Sequence, residues 1–524
     1  MLSHILKIFK FTLKSFRFIY LKFYYKIFRN LVGNISFSEH KDFGILSIKR
    51  NNIFKTKLSK WNFNGKLSYN YDPHSNYFIH SKLPFFLTRY NLINFDIKFV
   101  WEISRFQHLN PSTDSVNKIL SEIRRFIKHN PVGFGLNWIS AMEVGIRLIN
   151  ISRLYLSLKK KDLIIENFLN ESFLFIYKNL EDHNEYKGNH YISNLCSLLC
   201  FGSFIEINNF NKKIIKFALN DLFEEIKVQY NDDGSYYENS TYYHLFVTEM
   251  ICQTAVITKK NGGVEFRKLV KDTIGSDSLE HHIIFQKIIG KAISFGDSIL
   301  IDDFYPIIGD LDSGRFIYSS KKINLATSFS FLIKDNIPNS FTKFKLLENR
   351  KRLKNSSFYR NFKVKKKSLF YKFFDHFGLF VVKGEDFLFT IRTNYNSKKT
   401  VHAHEDVGSV CLYLDKKKIL WDPGLDNYNR DLINRDKFRF GDIHNNQISQ
   451  LKHFSLKNFE FKILGEFEFN YSLTKQGLAI DLVTKIKKKS LQRHIFISNS
   501  FIEILDTPYL NNLNEPEIYF DEYQ

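Results

Sequence analysis

The chain has 524 residues, 44% hydrophobic and 16% aromatic. That is enough apolar material for more than one core, so two globular domains are expected and a disordered or collagen-like chain is excluded. Its 76 Lys and Arg against 54 Asp and Glu leave a formal charge of +22, which favours an anionic partner: nucleic acid, acidic glycan or membrane surface. The crowding of Lys, Asn, Ile and Phe also has the look of AT-rich codon usage, which raises lysine without functional demand.

Taken in chain order, the first thirty residues are basic and aromatic with no acidic side chain. Lys7, Lys10, Lys14, Lys22 and Lys26 interrupt every apolar run long enough to span a bilayer. No small-residue cleavage site follows an uninterrupted apolar core, so a secretory signal is not expected. The reading is a helical lead-in that could also lie on a membrane surface. It implies a cytoplasmic or membrane-peripheral protein, with the periplasm as the alternative.

From about 112 to 335 apolar residues recur at three- and four-residue spacing, as in 114-DSVNKILSEIRRFIKH, 137-NWISAMEVGIRLINISRLYLSLK and 242-YYHLFVTEMICQTAVITKK. Short connections favour antiparallel helical neighbours stacked in pairs. Cys196 and Cys200, one turn apart, read as a buried helix face rather than a zinc site, and four cysteines are too few for a disulfide scaffold. After Asp335 the texture alternates over strand lengths, in 376-HFGLFVVKGEDFLFTIRTN, 408-GSVCLYLDKKKILWDPG and 460-EFKILGEFEFNYSLTKQGLAIDLVTKI, which predicts an antiparallel, sandwich-like β region. The lysine-rich 360-RNFKVKKKSLF is linker or first strand.

Three constellations could carry chemistry. In 401-VHAHEDVGSV, read as a strand, His402 and His404 share a face about 7 Å apart. His404, Asp422 of WDPG and His444 of DIHNN offer a zinc-type His/Asp/His set, or are three unrelated turn residues. In 186-YKGNHYISN, Asn189 and His190 open an apolar helix, as an anion-facing pair or as a cap and a satisfied histidine. In 232-DDGSYYENSTYYH, a turn leads into a helix opened by Tyr243 and His244, with Tyr243 a candidate acid or base or simply core.

Together with 101-WEISRFQHL and 137-NWISAMEVGIRLIN, these segments resemble, in order over residues 85–446, the heparinase II/III-like polysaccharide lyases, a group that includes related alginate and oligoalginate lyases. The resemblance implies an α+β multidomain fold: a basic lead-in and extension over 1–84, an (α/α) toroid over 85–335, and a shortened antiparallel β-sandwich over 336–524. It implies β-elimination at a uronic acid-containing surface or capsular glycan. Asn189 would hold the uronate carboxylate with His190 beside it, Tyr243 would be the acid/base, and His402 would be brought from the β region. Arg105, Asn137, Trp138, Glu238 and Arg439 would contact substrate, and His404, Asp422 and His444 would bind a structural divalent metal, most naturally Zn2+. Three features depart from the family pattern: Glu405, where a small residue is usual; the short sandwich, with only the beginning of another strand and the acidic tail 515-EPEIYFDEYQ after Ile502; and the missing secretion signal. The alternative function is a silent or non-eliminating glycan-binding or glycan-modifying protein. Nucleic-acid binding is the weakest reading, since no RNA or DNA module is present.

Overall fold

The computed structural model describes Tyr25, residues 28–34 and, with breaks, residues 62–507; the larger breaks are 89–94, 318–323, 333–341, 346–359, 395–401, 426–430 and 447–453. The basic lead-in is thus largely, and the acidic tail entirely, outside the described residues. Two short hairpins, Asn62–Phe63 with Lys66–Leu67 and Tyr71–Asp72 with Tyr77–Phe78, precede the helices.

The helices are α1 (Ile97–Ser104), α2 (Val116–His129), α3 (Ala141–Ser157), α4 (Leu163–Lys178), α5 (Asn189–Gly202), α6 (Asn209–Gln229), α7 (Thr241–Asn261), α8 (Val264–Ile274), α9 (Ser278–Ile299) and the short α10 (Leu325–Phe329). Their starts carry the expected caps: Ser115, Asp162 and Ser240 each accept a backbone N–H of the first turn, and Asn208 forms a reciprocal capping box with Asn211. The central helices α3, α5 and α7 are buried around nearly their whole circumference, which explains why their sequences lack a polar stripe. Cys196 and Cys200 lie fully inside this core. Among the described residues no helix is long and apolar enough to cross a membrane.

Strands follow as β1 (Thr342–Lys345), β2 (Arg360–Lys363), β3 (Ser368–Phe374), β4 (Leu379–Gly384), β5 (Phe387–Arg392), β6 (Val410–Leu414) and β7 (Lys417–Leu420). After α11 (Leu432–Arg439) come β8 (Phe454–Lys457), β9 (Glu460–Ile463), β10 (Glu466–Leu473), β11 (Leu478–Ile486), β12 (Lys489–Ile497) and β13 (Phe501–Thr507). One antiparallel sheet runs β7-β6-β5-β4-β3-β1, a second runs β10-β11-β12-β13-β2, and β8 and β9 form a separate hairpin. The segment around 360 is therefore partly strand, pairing β2 with the final strand β13.

The first sheet is a middle layer. In β4, Leu379 and Val381 join the helical core, whereas Phe380 and Val382 join the core between the sheets. In β5, Leu388 faces the helices and Phe387, Phe389 and Ile391 face the second sheet. A strand covered on both faces must be apolar at every position, which is why LFVV and FLF read as continuous runs. The outermost β10 does the opposite: EFEF alternates, with Phe467 and Phe469 packed inward and charges outward. Buried Arg493 ties the sandwich together, pairing with Asp506 at 2.8 Å and donating to the Asn445 carbonyl at 2.6 Å. At the helix–sheet junction Tyr413 Oη donates to Asp302 at 2.6 Å and the Phe377 amide donates to Asp233 at 3.0 Å.

This architecture, helices followed by antiparallel sheets, is the one expected. One local expectation fails. Residues 402–409 are turn and loop, and the strand begins only at Val410. The reason is local chemistry: Glu405, Asp406 and Gly408 in 404-HEDVGS favour a turn, Gly408 at φ +86°.

Candidate active site and metal centre

Two glycine-dependent approaches bring the parts together. At the start of α5, Gly188 leaves room that a Cβ would deny, because the Glu238 carboxylate lies against it. Glu238 Oε1 accepts the Asn189 amide N–H at 3.1 Å and Oε2 accepts the Asn189 side-chain Nδ2 at 2.9 Å. A carboxylate facing a helix N-terminus is electrostatically favoured there. The next residue, Asn239, sits in the left-handed region at φ 60°, a conformation Asn tolerates, and its Oδ1 accepts from Arg392 of β5 at 3.1 Å.

The second approach is at Gly309, φ +72°, between α9 and α10. A Cβ there would drive into the His402 carbonyl oxygen and lie 2.6 Å from that of Asn239. Gly309→Ala is expected to cost about 1–3 kcal/mol through backbone strain and steric clash. Chemical denaturation at fixed temperature measures it, and an unchanged midpoint would show that the loop tolerates a side chain.

Tyr243, in the first turn of α7, stacks on the His402 ring with centroids 3.6 Å apart and planes 15° apart. His402 Nδ1 lies 2.8 Å from Asp310 Oδ2, and its Nε2 is 3.6 Å from Glu238 Oε2. Thus Asn189, Glu238, Tyr243 and His402, from three helical-region segments and the loop before β6, form one cluster. Arg439, at the end of α11, is buried beside it, with Nε 3.7 Å from Asp310 Oδ1. It is the last residue of that helix.

His190 lies on the rim, its side chain 41% exposed, with Nδ1 2.9 Å from Glu181 Oε1 and 3.4 Å from Ser140 Oγ. Burial alone would lower its pKa, but the Glu181 carboxylate, with Glu143 and Glu238 behind it, outweighs that and lifts it to about 9. His190 is therefore an imidazolium at neutral pH. Raised from the ordinary 6.5, the pair's contribution to stability is full below that value and is lost as pH rises through about 9. Melting temperatures between pH 6 and 10 should accordingly fall more steeply in the wild type than in His190→Gln; parallel curves would mean the ring is neutral. Neighbouring His244 is different: fully buried, with Nε2 3.0 Å from the Ala292 carbonyl and a pKa pushed down to about 3 by burial, it is neutral core.

The other expected substrate contacts are not in this cluster. Arg105 is buried in a bidentate pair with Glu143, at 2.8 and 2.6 Å, and also holds Glu102. Asn137 donates to Tyr69 O, Asn70 Oδ1 and Asn130 Oδ1, while Trp138 packs edge-on against Phe168 and Phe175. Interior partners take up their donor groups, while Asn137 Oδ1 is buried with no hydrogen-bond partner; these residues shape the helical core. Asn189 also departs from expectation: its amide N–H group is committed to Glu238, and the buried atom left without a partner is the acceptor Oδ1.

His404, Asp422 and His444 are all buried, and their ligand atoms lie within 4.8 Å of one another. Asp422 Oδ2 is 2.7 Å from His444 Nδ1, and its Oδ1 accepts the Gly424 amide at 2.9 Å. His444 Nε2 is buried with no hydrogen-bond partner. Two imidazoles and a carboxylate with an orphaned buried nitrogen fit a divalent cation of borderline softness.

Sequence reasoning missed Asp310, which bridges both histidines, and Glu181, which charges His190. A Gly-Asp pair after an apolar YPII run was the available signal for the first, and a carboxylate nine residues before His190 for the second.

Residues 114–274 match the family model of the heparinase II/III N-terminus. No curated protein matches the chain significantly in sequence. Among solved structures, a heparinase III is similar at TM-score 0.54 and 15% identity, covering 94% of this chain and 77% of that one. Another heparinase III matches at TM-score 0.49 and 18% identity, covering 93% and 74%. A heparan sulfate lyase from Pedobacter heparinus matches at 0.46 and 14%, covering 91% and 71%. At such identities the likeness is one of fold. The helical region over residues 114–274 is thus similar to the heparinase II/III N-terminus, and the order of helices then sheets is the fold of a heparinase III.

Proposed function

We propose that the protein is a polysaccharide lyase that cleaves a uronic acid-containing acidic glycan, of the surface or capsular kind, by β-elimination. The observation that carries this reading is the stacking of Tyr243 on His402 beside Asn189 and Glu238. It sets two proton-transfer groups from different parts of the chain at one place. The net charge of +22 suits an anionic polymer.

The chemistry removes the C5 proton beside a carboxylate, breaks the C4–O bond and leaves a C4=C5 double bond; no water is consumed. The carboxylate's own charge opposes proton loss, so a cation must meet it. We assign that contact to the His190 imidazolium, which a neighbouring carboxylate keeps charged. Asn189 Oδ1, buried and unpartnered, accepts from a substrate hydroxyl or a shared carboxyl proton. Tyr243 and His402 divide base and acid roles, one taking the C5 proton and the other protonating the leaving oxygen. The His404, Asp422 and His444 set would hold Zn2+, which supplies a structural anchor for the loop carrying His402.

A second reading, a glycan-binding protein that does not eliminate, is favoured by one observation. The Glu238 carboxylate occupies the Asn189 amide that would otherwise meet a uronate. The ultraviolet absorbance of new unsaturated uronate ends, on a panel of acidic polysaccharides, separates the two. A rising signal supports the lyase; binding without signal on every uronate polymer supports the second reading.

A further inference from the structure

Residues 305-YPIIGDL-311 run past the start of α7 and are laced to it. Thr241 Oγ1 donates to the Pro306 carbonyl at 2.7 Å, the Thr241 amide to Ile308 O at 3.1 Å, and Ser240 Oγ to Asp310 O at 2.7 Å. The Asp310 amide in turn donates to the His402 carbonyl at 2.8 Å. Backbone bonds from both regions thus fix Asp310, and its side chain is buried.

The carboxylate is divided between the two histidines. Oδ2 meets His402 Nδ1 and Oδ1 meets His404 Nε2, each at 2.8 Å. An ionised carboxylate only accepts, so each ring nitrogen facing it carries a hydrogen. That leaves Nε2 of His402, the atom 3.6 Å from Glu238, as its nitrogen toward the acid/base cluster. It also leaves Nδ1 as the nitrogen that His404 can give to a metal.

We propose that Asp310 is a positioning residue that sets the tautomer and orientation of both histidines at once, coupling the metal centre to the acid/base cluster through one carboxylate. The part concerning His402 rests on the lyase reading; the part concerning His404 does not. Two histidines one residue apart would otherwise be free to present either nitrogen, and a single carboxylate held by backbone bonds removes that choice. Outer partners of this kind typically alter metal affinity or activity by about 10–100-fold when removed.

The test compares zinc-loaded wild type with Asp310→Asn, which keeps the shape but replaces one acceptor oxygen by a donor. Zinc transfer to a competing chromogenic chelator should show affinity weakened by about 10–100-fold. Nitrogen NMR of 15N-histidine protein should show His402 as the Nδ1–H tautomer in the wild type and lose that signature in the variant. Turnover on a responsive glycan should fall in kcat with KM held, because substrate contacts remain. If Asp310→Asn fails to fold, the wild-type spectrum alone decides: a His402 protonated on Nε2 and bare on Nδ1 overturns the proposal. Unchanged tautomer and zinc transfer in a folded variant also overturn it, even where lyase activity is found. Because neither readout uses a glycan, silence on every uronate polymer with both readouts shifted as expected overturns the lyase reading and leaves the positioning role standing.

Discussion

Tyr243→Phe should lower turnover of a uronate glycan by about 10²–10⁴-fold, the usual worth of a positioned acid or base, with KM changed little. The substitution removes one oxygen. The ring that stacks on His402 at 3.6 Å remains, as does the Ser240 cap on the Tyr243 amide at 3.2 Å, so local structure should be retained. Unchanged near-ultraviolet circular dichroism and melting temperature would verify that. A variant within about threefold of wild type would remove Tyr243 from the proton-transfer step. His402 would then be the only one of the two left for that step. A rise in KM with kcat unchanged would instead assign the hydroxyl to ground-state binding.

The fold was legible to the extent that one layer dictated it. Helical periodicity in α2 and the alternation of EFEF in β10 each follow from burying a single face. The continuous runs of β4 and β5 marked strands but did not say that the first sheet is sandwiched between helices and the second sheet. The His/Asp/His group was legible because its residues have distinctive chemistry, and the structure brings His404, Asp422 and His444 close enough that they could hold one ion. Asp310 and Glu181 were not, since an isolated carboxylate has no local signature and acquires its role only from what a loop carries it against. The segments containing Arg105, Asn137 and Trp138 resembled the family as clearly as the others, and there the donor groups bond within the interior. His402 and His404 were expected on one face of a strand; they come together instead in a turn, against a common carboxylate.

His444→Ala should abolish stoichiometric metal binding and lower the melting temperature. His444 is the ligand of choice for this test because its recorded partner is Asp422, not the Asp310 carboxylate that also reaches His402. A ligand present at about a thousand times its dissociation constant stabilises the folded state by about 4 kcal/mol. Spread over one cooperative unit of helices and sheets, that corresponds to a loss of roughly 4 °C. Chelation of the wild type should reproduce the shift, and chelator should then do nothing further to the variant. The loss should appear as one displaced transition rather than as a separate early step. Leu379, Val381 and Leu388 of the first sheet belong to the same apolar core as the helices, so loosening the sheet also strips the helical face it covers. Wild-type protein that carries no metal as purified and melts identically with and without chelator would reduce the trio to a buried hydrogen-bonded cluster. In that case His404 and the acid/base cluster would owe their geometry to Asp310 and the laced loop rather than to an ion.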